Sequence, residues 1–115
     1  MPSYRASLQV LDVRPGHAPE EVMDAAVAGV ALLCSVEGQQ LDLVRGMPVI
    51  RVRFVVDAAS QTAQDRAALT AGEALASAVA EVARHGAMQV TRRVKGRWYR
   101  VDPERIRLGP AEGVR

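Results

Sequence analysis

Tyr4, Ala6, Leu8 and Val10 alternate with Arg5, Ser7 and Gln9, the two-residue period of a half-buried strand. The Pro/Gly-rich stretch RPGHAP follows as a turn. Pro19-Glu20-Glu21 then opens a helix, because proline fits a first turn and acids favour the positive end of the helix dipole. The helix runs through Val22, Ala26, Val30 and Leu33, with no polar side chain after Asp24 until Ser35. A surface helix has a polar back. This one is expected to be covered on two sides, the second cover being another subunit, so that a charge at Val27 or Val30 would weaken an oligomer.

Leu41 and Leu43 alternate with Gln40 and Asp42, which predicts a second strand. Arg45-Gly46-Met47-Pro48 makes a turn. Ile50, Val52, Phe54 and Val56 mark a third strand whose other face, Val49, Arg51, Arg53 and Val55, is also partly apolar, as for an interior strand. Thr62-Ala-Gln-Asp65 is a capping-box-like helix start with Asp in place of Glu. The helix should reach about His85 and stop at Gly86. Leu69, Gly72, Leu75, Ala76, Val79 and Val82 line one of its faces, and Arg66, Thr70, Glu73, Ser77, Glu81 and Arg84 the other. MQVTRRV and RWYRV flank Lys95-Gly96, either as a two-residue hairpin or as one long twisted strand. The order β-α-β-β-α-β predicts an α+β fold, a two-layer sandwich of the ferredoxin-like kind. A single domain is expected over 1–108, with a flexible tail at 109–115.

MPVIRVRF, residues 47 to 54, begins with Met-Pro as MPSYRASL does at residue 1. With Met1 set on Met47, Tyr4 meets Ile50, Arg5 meets Arg51, Leu8 meets Phe54 and Val10 meets Val56. Beyond the helices LDLVRG lines up with TRRVKG. Each half reads as Met-Pro, strand, helix, strand, then Val-Arg-Gly or Val-Lys-Gly. This doubled unit resembles the tautomerase superfamily, whose members use an N-terminal proline, exposed by methionine removal, as acid or base. The resemblance implies Pro2 as the catalytic residue, with Arg5 and Arg51 as the cations that polarise a carbonyl or bind a carboxylate. A secondary amine at a chain start can be tuned towards neutral pH by burial and nearby cations.

Composition narrows the classes. At 115 residues the chain fits one domain, and 49% hydrophobic with 24% charged is ordinary for a globular protein. Aromatics are only 3%, so Val, Leu and Ala must build the core. Basic residues are almost all Arg, with Lys95 the one lysine, a bias that suggests a GC-rich bacterial genome. One cysteine, Cys34, forms no internal disulfide. MPSYRASLQVLD has no signal pattern, and the apolar run at 25–34 is too short for a bilayer, so a soluble cytoplasmic protein without membrane contact is expected.

Net charge is +2, unevenly spread: five basic and seven acidic residues over 1–57, ten and six over 58–115. Most of the excess lies in VTRRVKGRWYR. On a continuous strand Arg93, Lys95 and Arg97 share a face with Tyr99 beyond them, a pattern that suits a small anion or a nucleic-acid backbone with one stacked base. Nucleic-acid sheets usually carry several aromatics, and edge strands carry charge to avoid stray pairing. His17, His85 and Cys34 lack metal-ligand spacing, and no cofactor motif is present, so neither metal nor cofactor is expected. The favoured reading is a self-associating, non-catalytic module for a ligand or partner. A Pro2 enzyme and a nucleic-acid binder are the alternatives.

Overall fold

The computed structural model describes residues 2–104, so the tail expected at 109–115 lies outside the described residues. The elements are β1 (Ser3–Val13), α1 (Glu20–Ala31), β2 (Ser35–Val44), β3 (Met47–Val55), α2 (Gln61–Ala80), β4 (Ala83–Val94) and β5 (Arg97–Arg100). The strands form one antiparallel sheet in the order β2-β3-β1-β4-β5. The fold is α+β. β3 is interior, as its apolar content requires.

Strand alternation decides which face the helices cover. Tyr4, Leu8, Ile50, Val52, Phe54 and Val90 point inward and join Val22, Ala26 and Val30 of α1 and Ala68, Ala71, Leu75 and Val79 of α2 in one core. With few aromatics, that core is closed by small residues at close approaches. A Cβ on Gly29 would lie 2.7 Å from the Ala74 carbonyl oxygen, so glycine is what lets α1 and α2 cross there. A Cβ on Gly72 would sit 2.7 Å from Val90 Cγ2, where α2 meets the sheet.

Several local expectations change. Ser60, not Thr62, caps α2, its Oγ accepting from the Ala63 N–H at 3.1 Å. Asp65 is thereby left for a tertiary role. α2 ends at Ala80, short of His85, because Ala83, Arg84 and His85 pair with Val13, Asp12 and Val10 of β1. A central strand pairing outweighs a few residues of helix propensity. At the start of α1, the Glu21 carboxylate accepts from the Ala18 N–H at 2.6 Å and meets His17 Nδ1 at 2.9 Å. These two contacts, His17 first, hold the Glu21 carboxyl below the ordinary carboxylate range.

Residues 83–100 form a hairpin, not one strand. Lys95 and Gly96 have φ of 51° and 82°, and Arg45 and Gly46 have 54° and 80°. Positive φ at both central residues is the mark of the mirror-image turn that matches strand twist. Val-Arg-Gly and Val-Lys-Gly, aligned in the sequence repeat, are therefore the same turn in two places.

The apolarity of α1 is largely absorbed within the chain. Val22, Ala26, Gly29 and Val30 are buried and Val27 is half-buried, so a charge at Val30 tests folding rather than association. Among the described residues, no helix is long and apolar enough to cross a membrane.

Candidate anion-binding site

The sheet face away from the helices carries the odd positions of β1 and β3. Arg5 stands directly opposite Arg53, and Ser7 opposite Arg51. The Lys95-Gly96 turn folds β5 back so that Trp98 stands opposite Arg93 on the same face. Like charges directly opposed across a sheet are destabilising. Local rules broken in this way are found at functional or strained positions.

The guanidiniums gather on one ring. Arg5 Cζ lies 4.5 Å from the Trp98 ring centre, Arg93 Cζ 5.6 Å and Arg53 Cζ 5.7 Å. The negative face of the indole offsets part of their repulsion. Arg51 stands beside them, its Nε donating to Asp42 at 2.6 Å and its Nη1 to Ser7 Oγ at 3.2 Å. Glu37 Oε1 is 3.2 Å from Arg53 Nε, close enough for an ion pair but without hydrogen-bond alignment, and it accepts from Ser3 Oγ at 3.0 Å. Four guanidiniums thus face two carboxylates.

Two buried donors make no hydrogen bond, one of them beside a carboxylate. Among the described residues, Arg5 Nε and Arg53 Nε have no hydrogen-bond partner. An unmet buried donor costs about 1–3 kcal/mol, and more when charged. Burial first, then repulsion from Arg51, pulls the Arg5 pKa below the usual arginine value. An anion placed between these groups would supply an acceptor and offset the repulsion. The space for one is a hollow of about 280 Å³ lined by Arg5, Arg51, Arg53, Arg93, Trp98 and the β2 segment 37–40.

Asp42, the partner of Arg51, has a shifted pKa of its own. A hydrogen bond from Gln40, then one from Arg51, holds its carboxyl below the ordinary 3.8. A depressed carboxylate contributes above its unfolded pKa, and the contribution is lost as pH falls through the lower folded value. In a carbon-detected titration, the Asp42 midpoint should fall below 3.8 and move up towards it in Gln40→Ala. A midpoint that does not move in the variant would remove Gln40 from this role.

The structure divides the residues singled out in the sequence. Arg5, Arg51 and Arg93 line the hollow. Lys95 sits in the turn. Arg97 pairs with Val94 and Tyr99 with Arg92, which places Arg97 and Tyr99 on the face opposite Arg93 and Trp98. A hairpin separates side chains that a continuous strand would have aligned. Pro2 precedes β1, where its carbonyl accepts from the Val56 N–H at 3.3 Å, and it is not among the residues lining the hollow. Arg53 and Trp98 were missed. Arg53 carried a signal, since it alternates with Val52 and Phe54 as Arg5 does with Tyr4 and Ala6. Trp98 carried none until the turn was known.

Other reactive groups are built for structure. Tyr4 is fully buried, and its hydroxyl donates to Asp65 Oδ1 at 2.5 Å while accepting from Arg92 Nη1 at 2.5 Å. Burial and then Asp65 raise its pKa well above the usual tyrosine value, so this phenol keeps its proton and is no base. Burial likewise pushes the Cys34 thiol up, away from a reactive thiolate. His85 lies in β4, its Nδ1 3.0 Å from the Gly86 carbonyl, not at a helix end. Among the described residues, no group of three or more His, Cys, Asp or Glu is placed to hold a metal ion. No family model, curated protein or solved structure matches the chain.

Proposed function

We propose that this domain is a non-catalytic binding module whose open sheet face takes a small ligand bearing an oxyanion, a carboxylate or a phosphate. One observation carries the reading: three guanidiniums surround Trp98 on that face, and two of them, Arg5 and Arg53, keep a buried Nε that makes no hydrogen bond, Arg53 Nε having only the Glu37 carboxylate at 3.2 Å. An arginine stacked on an aromatic has its planar fork pre-organised for a bidentate anion. We read the order β2-β3-β1-β4 as the ferredoxin-like arrangement, with β5 added at one edge to bring Trp98 over the face.

A nucleic-acid strand is the less favoured occupant, because Trp98 is the one aromatic among the lining residues and successive bases need successive platforms. The tautomerase-like reading keeps Arg5 and Arg51 in the hollow but not Pro2, which weakens a proton transfer from that amine to a ligand held there.

Trp98 is the only tryptophan, so its fluorescence reports on the site directly. Inorganic phosphate and citrate should each change that emission in a saturable way. Arg5→Ala should weaken the effect at least tenfold, on the order of the 1.5–3 kcal/mol of a charged hydrogen bond. Arg97→Ala, on the other face, should leave it alone. Emission indifferent to both anions, or equal titrations of wild type and Arg5→Ala, would end this reading.

A further inference from the structure

The two edges of the sheet are not alike. The β5 edge is four residues long, begins and ends with Arg97 and Arg100, and is followed by Pro103. Short, charged, proline-flanked edges resist pairing with other chains. The β2 edge is ten residues long and has no Lys, Arg or Pro. Its two acids are already engaged within the sheet, Glu37 by Arg53 and Asp42 by Arg51. Leu41 and Leu43 on this strand are 62% and 72% exposed. Beside them runs a groove of about 570 Å³ between α1 and β2, lined by Glu20, Met23, Asp24, Gln39, Gln40 and Leu41.

We infer that β2 pairs antiparallel with β2 of a second copy, across a two-fold axis at Leu41. The inference stands apart from the anion reading, since it uses the edge of the sheet and not the arginine face. A two-fold axis perpendicular to the sheet keeps the faces of both copies aligned, so a residue opposes one of its own alternation. Centred on Leu41, the pairing sets Leu41 against itself, Gln40 against Asp42, Gln39 against Leu43 and Gly38 against Val44. Like charges nowhere meet. Moving the centre to Asp42 sets Asp42 against Asp42, and moving it to Gln40 sets Leu43 beside Glu37 and separates the leucines.

The chosen register also fills the groove. Leu41 and Leu43 belong to the helix-side alternation, since Leu41 pairs with the buried Ile50, so the second copy brings both over the groove beside Met23. The two hollows then open on the same side of one continuous sheet.

Sedimentation of the full chain without ligand should show a dimer at micromolar concentration. Leu41→Arg should weaken it at least about 30-fold, the scale of an interface hot spot. In a Cys34→Ser background, Leu41→Cys should oxidise to a covalent dimer, because facing Cα atoms across a ladder lie within disulfide reach. Leu43→Cys, which faces Gln39, should not. A monomer at these concentrations, a dimer indifferent to Leu41→Arg, or cross-linking of the Leu43→Cys variant but not of Leu41→Cys would each overturn the proposal. Loss of anion binding in Arg5→Ala with the dimer intact would leave it standing.

Discussion

Gly29→Val is expected to lower the melting temperature by about 10–15 °C. Gly29 sits where α1 crosses α2, and even a Cβ there would stand 2.7 Å from the Ala74 carbonyl oxygen and 3.1 Å from Ala78 Cβ. The first of these is backbone, which cannot rotate aside, so the helices must separate. Overpacking of this kind costs about 1–3 kcal/mol or more, and valine adds two γ-carbons to the clash. About 3 kcal/mol corresponds to the stated shift at ~4–5 °C per kcal/mol for a domain of this size. Gly38→Ala is the control, since a Cβ on Gly38 meets nothing within 4 Å and its φ is not positive. Thermal melts followed by circular dichroism decide the matter. Equal melting of Gly29→Val and wild type would mean that the helices do not cross as described.

Asp65→Ala is expected to cost about 2–3 kcal/mol. The carboxylate accepts from the Tyr4 hydroxyl at 2.5 Å and from Arg92 Nη1 at 3.0 Å, in a place where the Arg92 and Asp65 side chains are only 19% and 13% exposed. Alanine leaves a phenol proton without an acceptor and a guanidinium without a counter-ion. Breaking a fully buried pair costs about 3–5 kcal/mol, and the residual exposure reduces this. Tyr4→Phe should cost less, about 1 kcal/mol, because the Asp65–Arg92 ion pair survives. Denaturant melts should rank the two in that order, and the reverse ranking would place the main contribution in the phenol.

The same network sets an alkaline limit. Burial and Asp65 raise the Tyr4 pKa in the folded chain above its unfolded value near 10. A raised pKa means that the contribution is complete below the unfolded value and is lost as pH rises through the folded one. Stability should therefore begin to fall as pH passes about 10, and Tyr4→Phe should show a shallower decline. Parallel declines would assign the alkaline sensitivity to other groups.

Much of this architecture was legible in residue order. Alternation at Tyr4–Val10 and Ile50–Val56 marked the central strands and their buried faces, because a sheet with one covered face repeats every two residues. Pro19-Glu20-Glu21 placed the start of α1 through the chemistry of helix ends. Arg45-Gly46 and Lys95-Gly96 proved to be the same turn, because glycine readily takes the positive φ that such turns need. Residue order left the second open to a continuous strand, however, and Met47 and Pro48, read as part of the first turn, begin β3 instead. The end of α2 was not legible, since Val82–Gly86 suits a helix locally and becomes strand only when β1 offers a ladder.

The candidate site divides along the same line. Residue order alone requires that Arg5, Arg51 and Arg53, alternating with core residues, leave the sheet on the face away from the core. It also concentrates positive charge near Arg93. That these cations converge on Trp98, that Arg97 and Tyr99 turn away, and that Asp65 serves Tyr4 and Arg92 instead of capping a helix emerge only from the packed chain. The division arises because periodicity is set by local backbone geometry, whereas convergence depends on which strands become neighbours. Strand order is selected by burial of the whole apolar face, summed over residues far apart in the chain, and no single stretch of sequence carries that sum.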